Sequence, residues 1–88
     1  MRDFWEIYPD AEQPLRAWFR EVKNASWENP AEVKQLYGSV DFVGERTVFN
    51  IGGNKYRLIV LIDYVRHGVL IRFIGTHEEY DNIDVKSI

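Results

Sequence analysis

Phe49-Asn50-Ile51-Gly52-Gly53-Asn54-Lys55-Tyr56-Arg57 is the stretch on which the fold is read. Two runs that alternate apolar and polar side chains flank a glycine pair and an asparagine, residue types that accept the positive φ of a tight hairpin. The spacing predicts a two-residue loop at Gly52-Gly53 or at Gly53-Asn54. Side chains alternate across a strand, so either register sets Asn50 on the same face as Lys55 and Arg57.

Working towards the C-terminus, β-branched and aromatic runs broken by glycine predict strands at about 40–43, 47–51, 56–64 and 69–74. A two-residue loop at Arg66-His67 or His67-Gly68 puts Arg72 on the face of Arg57, Ile59, Leu61 and Asp63. The other face then carries Thr47, Phe49, Ile51, Tyr56, Leu58, Val60, Ile62, Val69, Ile71 and Phe73, nearly all apolar and suited to burial. Asn50, Lys55, Arg57 and Arg72 are left together on the polar face. Folding does not need these cations there, and they repel one another. They call for a bound anion, or for pairing with Asp63 and acidic residues near the C-terminus.

Working towards the N-terminus, Phe4, Trp5 and Tyr8 mark a short helix that Pro9 ends. Asp10 is placed to cap a second helix, with Gln13 returning the bond and Pro14 tolerated in the first turn. Leu15, Trp18, Phe19 and Val22 form its apolar stripe. Arg16, Arg20 and Lys23 lie on another side, as a solvated face or an RNA contact. A third helix starts at Asn29-Pro30-Ala31-Glu32, with N-cap asparagine, N1 proline and N3 glutamate, and stops at Gly38. Helices followed by a strand meander predict an α+β domain over residues 1–88, with the N-terminal helices on one face of an antiparallel sheet of about four strands.

Thr76-His77-Glu78-Glu79-Tyr80-Asp81 follows the last strand, and Thr76 and Glu79 have capping-box spacing on a short terminal helix. His77 and Tyr80 then share one helical side, just beyond the Arg72 strand. They are candidates for moving protons, since histidine titrates near neutrality and cations can lower a tyrosine pKa. The plainer reading is a capping histidine and a half-buried tyrosine. No second histidine completes a zinc-protease helix, Gly52-Gly53 joins two strands instead of opening a helix, and no triad is apparent.

Composition bounds the rest. The 88 residues have room for one economical core, and 45% hydrophobic with 15% aromatic content is enough to build it. Without cysteine there is no disulfide, thiolate site or thiol nucleophile. The longest apolar run, Leu58 to Ile62, is too short for a bilayer, and the charged N-terminus predicts an unexported protein with no membrane partner. The net charge of −3 is unevenly spread. Residues 44–76 hold five basic and two acidic side chains, a balance of +3 that leaves −6 for the rest, so a basic middle sits in an acidic frame.

The Phe49–Arg57 hairpin, then Arg72, then Thr76–Asp81, resembles the HigB branch of the RelE-type toxins, and the likeness extends through Tyr8-Pro9, Trp27 and the Asn29–Glu32 helix start. The resemblance implies a cytoplasmic, cofactor-free mRNA interferase of a type II toxin-antitoxin pair, cutting messenger RNA in the ribosomal decoding site and neutralised by a HigA-like antitoxin with a helix-turn-helix domain. In such toxins the 2′-hydroxyl attacks the neighbouring phosphate without a metal, so side chains must supply base, acid and positive charge. Carried over, Lys55 and Arg57 hold the scissile phosphate and Arg72 stabilises the transition state. His77 and Tyr80 transfer protons, while Asn50, Asn54 and Asp81 position the RNA. Such relatives usually begin with a short strand, whereas this chain opens with Met1-Arg2-Asp3-Phe4-Trp5, almost at the helix. A missing strand would leave a sheet edge unpaired, inviting dimerisation, antitoxin strand addition or low activity. A second reading, from another class, is a noncatalytic module with a degenerate toxin fold that binds RNA or a protein.

Overall fold

The computed structural model describes residues 2–88. Three helices, α1 (Arg2–Ile7), α2 (Glu12–Asn24) and α3 (Pro30–Leu36), precede four strands, β1 (Asp41–Val43), β2 (Arg46–Ile51), β3 (Tyr56–Asp63) and β4 (Gly68–Thr76). A five-residue helix, α4 (His77–Asp81), and a 3₁₀ turn at Val85–Ser87 close the chain. The sheet is antiparallel in the order β1-β2-β3-β4, so the architecture is the expected α+β meander.

The helices cover one face. Leu15 and Trp18 of α2 and Val33 of α3 are buried with Phe49, Ile51, Tyr56, Leu58 and Val60 from the sheet. Phe49 is the hub: Trp18 and Tyr37 meet it edge-on at 5.5 and 5.0 Å, and Trp27 stacks on it at 6.4 Å. Full burial of a side chain of this size is worth roughly 1.5–3 kcal/mol, so these few residues hold the helix layer on the sheet. Phe4 and Tyr8 pack against Tyr56 at 5.4 and 5.6 Å and dock α1 on the same face. Phe19 departs from the expected stripe and is 53% exposed, because α2 turns that position towards the edge of the sheet.

Local signals set the α3 and α4 starts. The Asn29 side chain accepts from the Glu32 amide at 3.2 Å, and Thr76 and Glu79 form the full capping box. The second helix starts differently. Pro9–Ala11 forms a 3₁₀ turn and α2 has no side-chain cap, because Asp10 is drawn to the hairpin instead. Gly38 follows the α3 C-cap without a left-handed φ, since Tyr37 already ends that helix.

Candidate active site

The hairpin tip is built from the turn outward. The Lys55 amide donates to the Gly52 carbonyl, making Gly53 and Asn54 the central turn residues, and Ile51 pairs with Tyr56 and Asn50 with Arg57. This is the second of the two predicted registers. Gly53 has φ +72° and Gly52 φ +63°, conformations that cost an L side chain about 1–2 kcal/mol. The following connection is longer than expected, with four residues between the paired Asp63 and Gly68. Its even length preserves parity, so Leu70 still faces the way Leu61 does.

Asn50 and Arg57 are therefore direct cross-strand partners on the face opposite the core. The Asn50 amide donates to the Ser39 carbonyl at 3.2 Å. Arg57 donates to the main-chain oxygens of Asn54 and Tyr56 at 3.1 and 3.3 Å, and its guanidinium lies 5.8 Å from the Tyr80 ring centroid. That distance is within cation–π range. Tyr80 is delivered there because Thr76 is at once the last strand residue, paired with Tyr56, and the cap of α4. The His77 amide also donates to the Lys55 carbonyl at 2.9 Å. On the exposed side of α4 the His77 imidazole Nδ1 stands 3.0 Å from Asp81 Oδ2. A carboxylate in that position fixes the tautomer with the second ring nitrogen turned outward. Asn54 contributes its carbonyl to this arrangement.

Two candidates are placed elsewhere. The Lys55 ammonium turns to the helix layer and pairs with Asp10 Oδ2 at 2.8 Å, while the Tyr56 hydroxyl donates to the other Asp10 oxygen. The bonds from Lys55 and Tyr56 hold the Asp10 carboxyl below its usual value, and the carboxylate in turn, helped by burial, pushes Tyr56 up to about 12. Arg72 occupies a β-bulge: Ile71 pairs with Val60 and Phe73 with Ile59, leaving Arg72 as the extra residue. It lies three residues, about 10 Å along the strand, from Gly75, the partner of Arg57.

The bulge also moves Phe73. Expected in the core, it sits across from Ile59 on the polar face, and Ile74 takes the core position beside Leu58. A Cβ on Gly75 would stand 2.6 Å from the Phe73 ring, so that glycine is required by the ring's close approach. Glycine inside a strand is the sequence signal that points to this aromatic lying against Gly75, the strand partner of Arg57. The tie through Asp10 has no local signal, because its partners are 45 and 46 residues away. Val48 and Ile59 are buried on this same face, and Arg46 donates to the Ile88 main-chain oxygen at 2.8 Å, bringing the C-terminal turn onto it.

Among the described residues neither Arg57 nor Arg72 forms an ion pair. Asp63 accepts from the amides of Val65 and Arg66, and Glu79 is used in the cap of α4. The arrangement thus offers uncompensated guanidinium charge for an anion, an imidazole and a phenol within one helical turn, and half-buried aromatic rings at Phe73 and Tyr80. Those groups suit binding and general acid–base chemistry on a phosphodiester.

A family model described as HigB toxin, the RelE-like toxic component of a toxin-antitoxin system, matches residues 11–83. The chain is similar to the mRNA interferase toxin HigB of Escherichia coli (strain K12), with 29% identity over 84 residues, 92% of this chain and 81% of the relative. The mRNA interferases HigB of Escherichia coli O157:H7 and Shigella flexneri match to the same extent.

Proposed function

The chain belongs to the HigB toxin family, and from that premise we propose that it is an endoribonuclease that cleaves messenger RNA at the Arg57–Tyr80 end of the sheet. The observation that carries the location is the Arg57 guanidinium, which forms no ion pair among the described residues and has the Tyr80 ring 5.8 Å away on the helix that the Thr76 cap starts at His77. In the proposed reaction the ribose 2′-oxygen forms a bond to the adjacent phosphorus and the bond to the 5′-oxygen breaks. One proton leaves the 2′-hydroxyl and one is given to the departing 5′-oxygen. His77 and Tyr80 carry these two transfers, Asp81 orients the His77 ring, and Arg57 with Arg72 stabilises the phosphorane charge. Lys55, tied to Asp10, acts on the RNA only by exchanging that partner for phosphate, whereas Asn50 and Asn54 shape the floor. Unpaired RNA fits such a face through stacking on Phe73 and Tyr80 and contacts to its backbone.

The protein works in the cytoplasm as a single toxin domain, on mRNA held by the ribosome, and a HigA-like helix-turn-helix antitoxin neutralises it. Purified protein added to translating ribosomes should cut the message, with breaks mapped by primer extension. Tyr80→Phe and His77→Ala should each slow cleavage about 10²-fold. If both variants cut at the parent rate, the site is misplaced. An intact message alongside tight antitoxin binding would instead make the chain a noncatalytic module.

A further inference from the structure

Among the described residues the outer edge of β4 has no strand neighbour. β4 is nine residues long and lies last in the sheet, with β3 on one side only. Beside it, between the edge and the outer side of α2, runs a groove of about 670 Å³. Its apolar floor is Trp5, Leu15, Phe19 and Ile71, and it continues past Phe19 and Ile71 to Val69. Its rim is Arg2, Arg16, Arg20 and Lys23, and among the described residues that line it none is a carboxylate. Arg16 is already held by Glu12 at 2.8 Å and lies 5.0 Å from the Trp5 ring, while Arg20 and Lys23 form no ion pair among the described residues.

We infer that this groove receives an extended acidic segment of a partner protein, which adds as a strand along Gly68–Ile71 of β4. Three observations select that occupant. The unpaired strand edge supplies main-chain donors and acceptors at strand spacing. The bulge at Arg72 breaks the ladder, which limits pairing to the half of β4 that borders the groove. The cationic rim selects carboxylates on the incoming segment, whose alternate apolar side chains cover Phe19 and Ile71. A second copy of this chain is disfavoured by the same rim, because edge-to-edge pairing would set two α2 basic rows side by side. The groove stands independently of RNA cleavage; only the identification of the donor as an antitoxin rests on the function proposed above.

The test uses a fluorescein-labelled ten-residue peptide of alternating valine and glutamate, with a valine–lysine version, a version N-methylated at alternate amides and an RNA oligonucleotide as competitors. The valine–glutamate peptide should bind the intact chain, shifting the amide resonances of residues 68–71. Arg20→Glu with Lys23→Glu should weaken it at least tenfold, and N-methylation should do the same. Peptide binding and mRNA cleavage are read separately on the same unaltered chain, which separates failure of the groove from failure of the nuclease assignment. Equal binding of the lysine peptide, insensitivity to charge reversal or N-methylation, no binding at millimolar peptide, displacement by RNA at lower concentration, or β4-mediated dimerisation in sedimentation would each overturn the inference.

Discussion

The two long hairpins of the sheet end very differently. The Ile51–Tyr56 tip is held from three sides: Asp10 bonds both Lys55 and Tyr56, the His77 amide bonds the Lys55 carbonyl, and Arg57 reaches back to Asn54. The Asp63–Gly68 tip is held by its own Asp63, which accepts from Val65 and Arg66, and by a 3.6 Å approach of His67 to Glu28. Val65 is 89% exposed there. Long-range bracing is concentrated where the proposed chemistry needs fixed geometry, and the other tip, held mainly by its own residues, returns the chain.

Activity separates the two tips most sharply. Arg57→Ala should lower the rate of mRNA cleavage about 10²–10³-fold, the usual cost of removing one preorganised charge-stabilising donor, whereas Arg66→Ala at the other tip should leave it unchanged. Equal losses, measured as single-turnover rates, would mean that the tips are not distinct. The next effect is on stability and has opposite signs. Gly53→Ala places a side chain at φ +72° and should cost about 1 kcal/mol, while His67→Gly relieves a left-handed residue at φ +58° and should gain several tenths of a kcal/mol. Urea unfolding midpoints of the two variants read this directly.

The smallest effect is on pH dependence. Asp10 titrates lower in the folded protein than its ordinary value of 3.8, so the unfolded chain binds the proton more readily. Its contribution is present above that value and fades as pH falls below it. Tyr56, raised to about 12, works in the other direction: its contribution is present below pH 10, the ordinary tyrosine value, and is lost as pH rises towards 12. Asp10→Asn should flatten both limbs of a plot of unfolding midpoint against pH. An unchanged acid limb would remove Asp10 from the bracing of the tip.

These contrasts also show what was legible in the residues. Alternation around the glycine turn placed Asn50 with Arg57 and Phe49 in the core, because both loops have even length and parity survives an error in where they fall. The Thr76 capping box was equally local and equally readable. What alternation cannot carry is an inserted residue. The bulge at Arg72 leaves the apolar pattern of β4 plausible either way, so Phe73 was expected in the core although it lies on the polar face. Nor can a local pattern show that Asp10 serves Lys55 and Tyr56 instead of its own helix, since that choice is made by packing α1 and the 3₁₀ turn against the hairpin. The position of the proposed site was open to inspection, but Lys55 left it for a partner 45 residues away.

Thr76 has a further consequence. It ends β4 and begins α4 with no residue between, so the helix has no slack relative to the sheet. A five-residue helix alone in water opens almost freely. Here the His77 amide, bonded to Lys55, cannot open unless the outer rungs of the β3–β4 ladder open with it. In native-state hydrogen exchange it should therefore share the protection of Tyr56 and Thr76 and resist deuterium far longer than helix length alone would allow. Tyr80 would then keep its distance from Arg57 on the clock of the sheet, not on that of a fraying terminus.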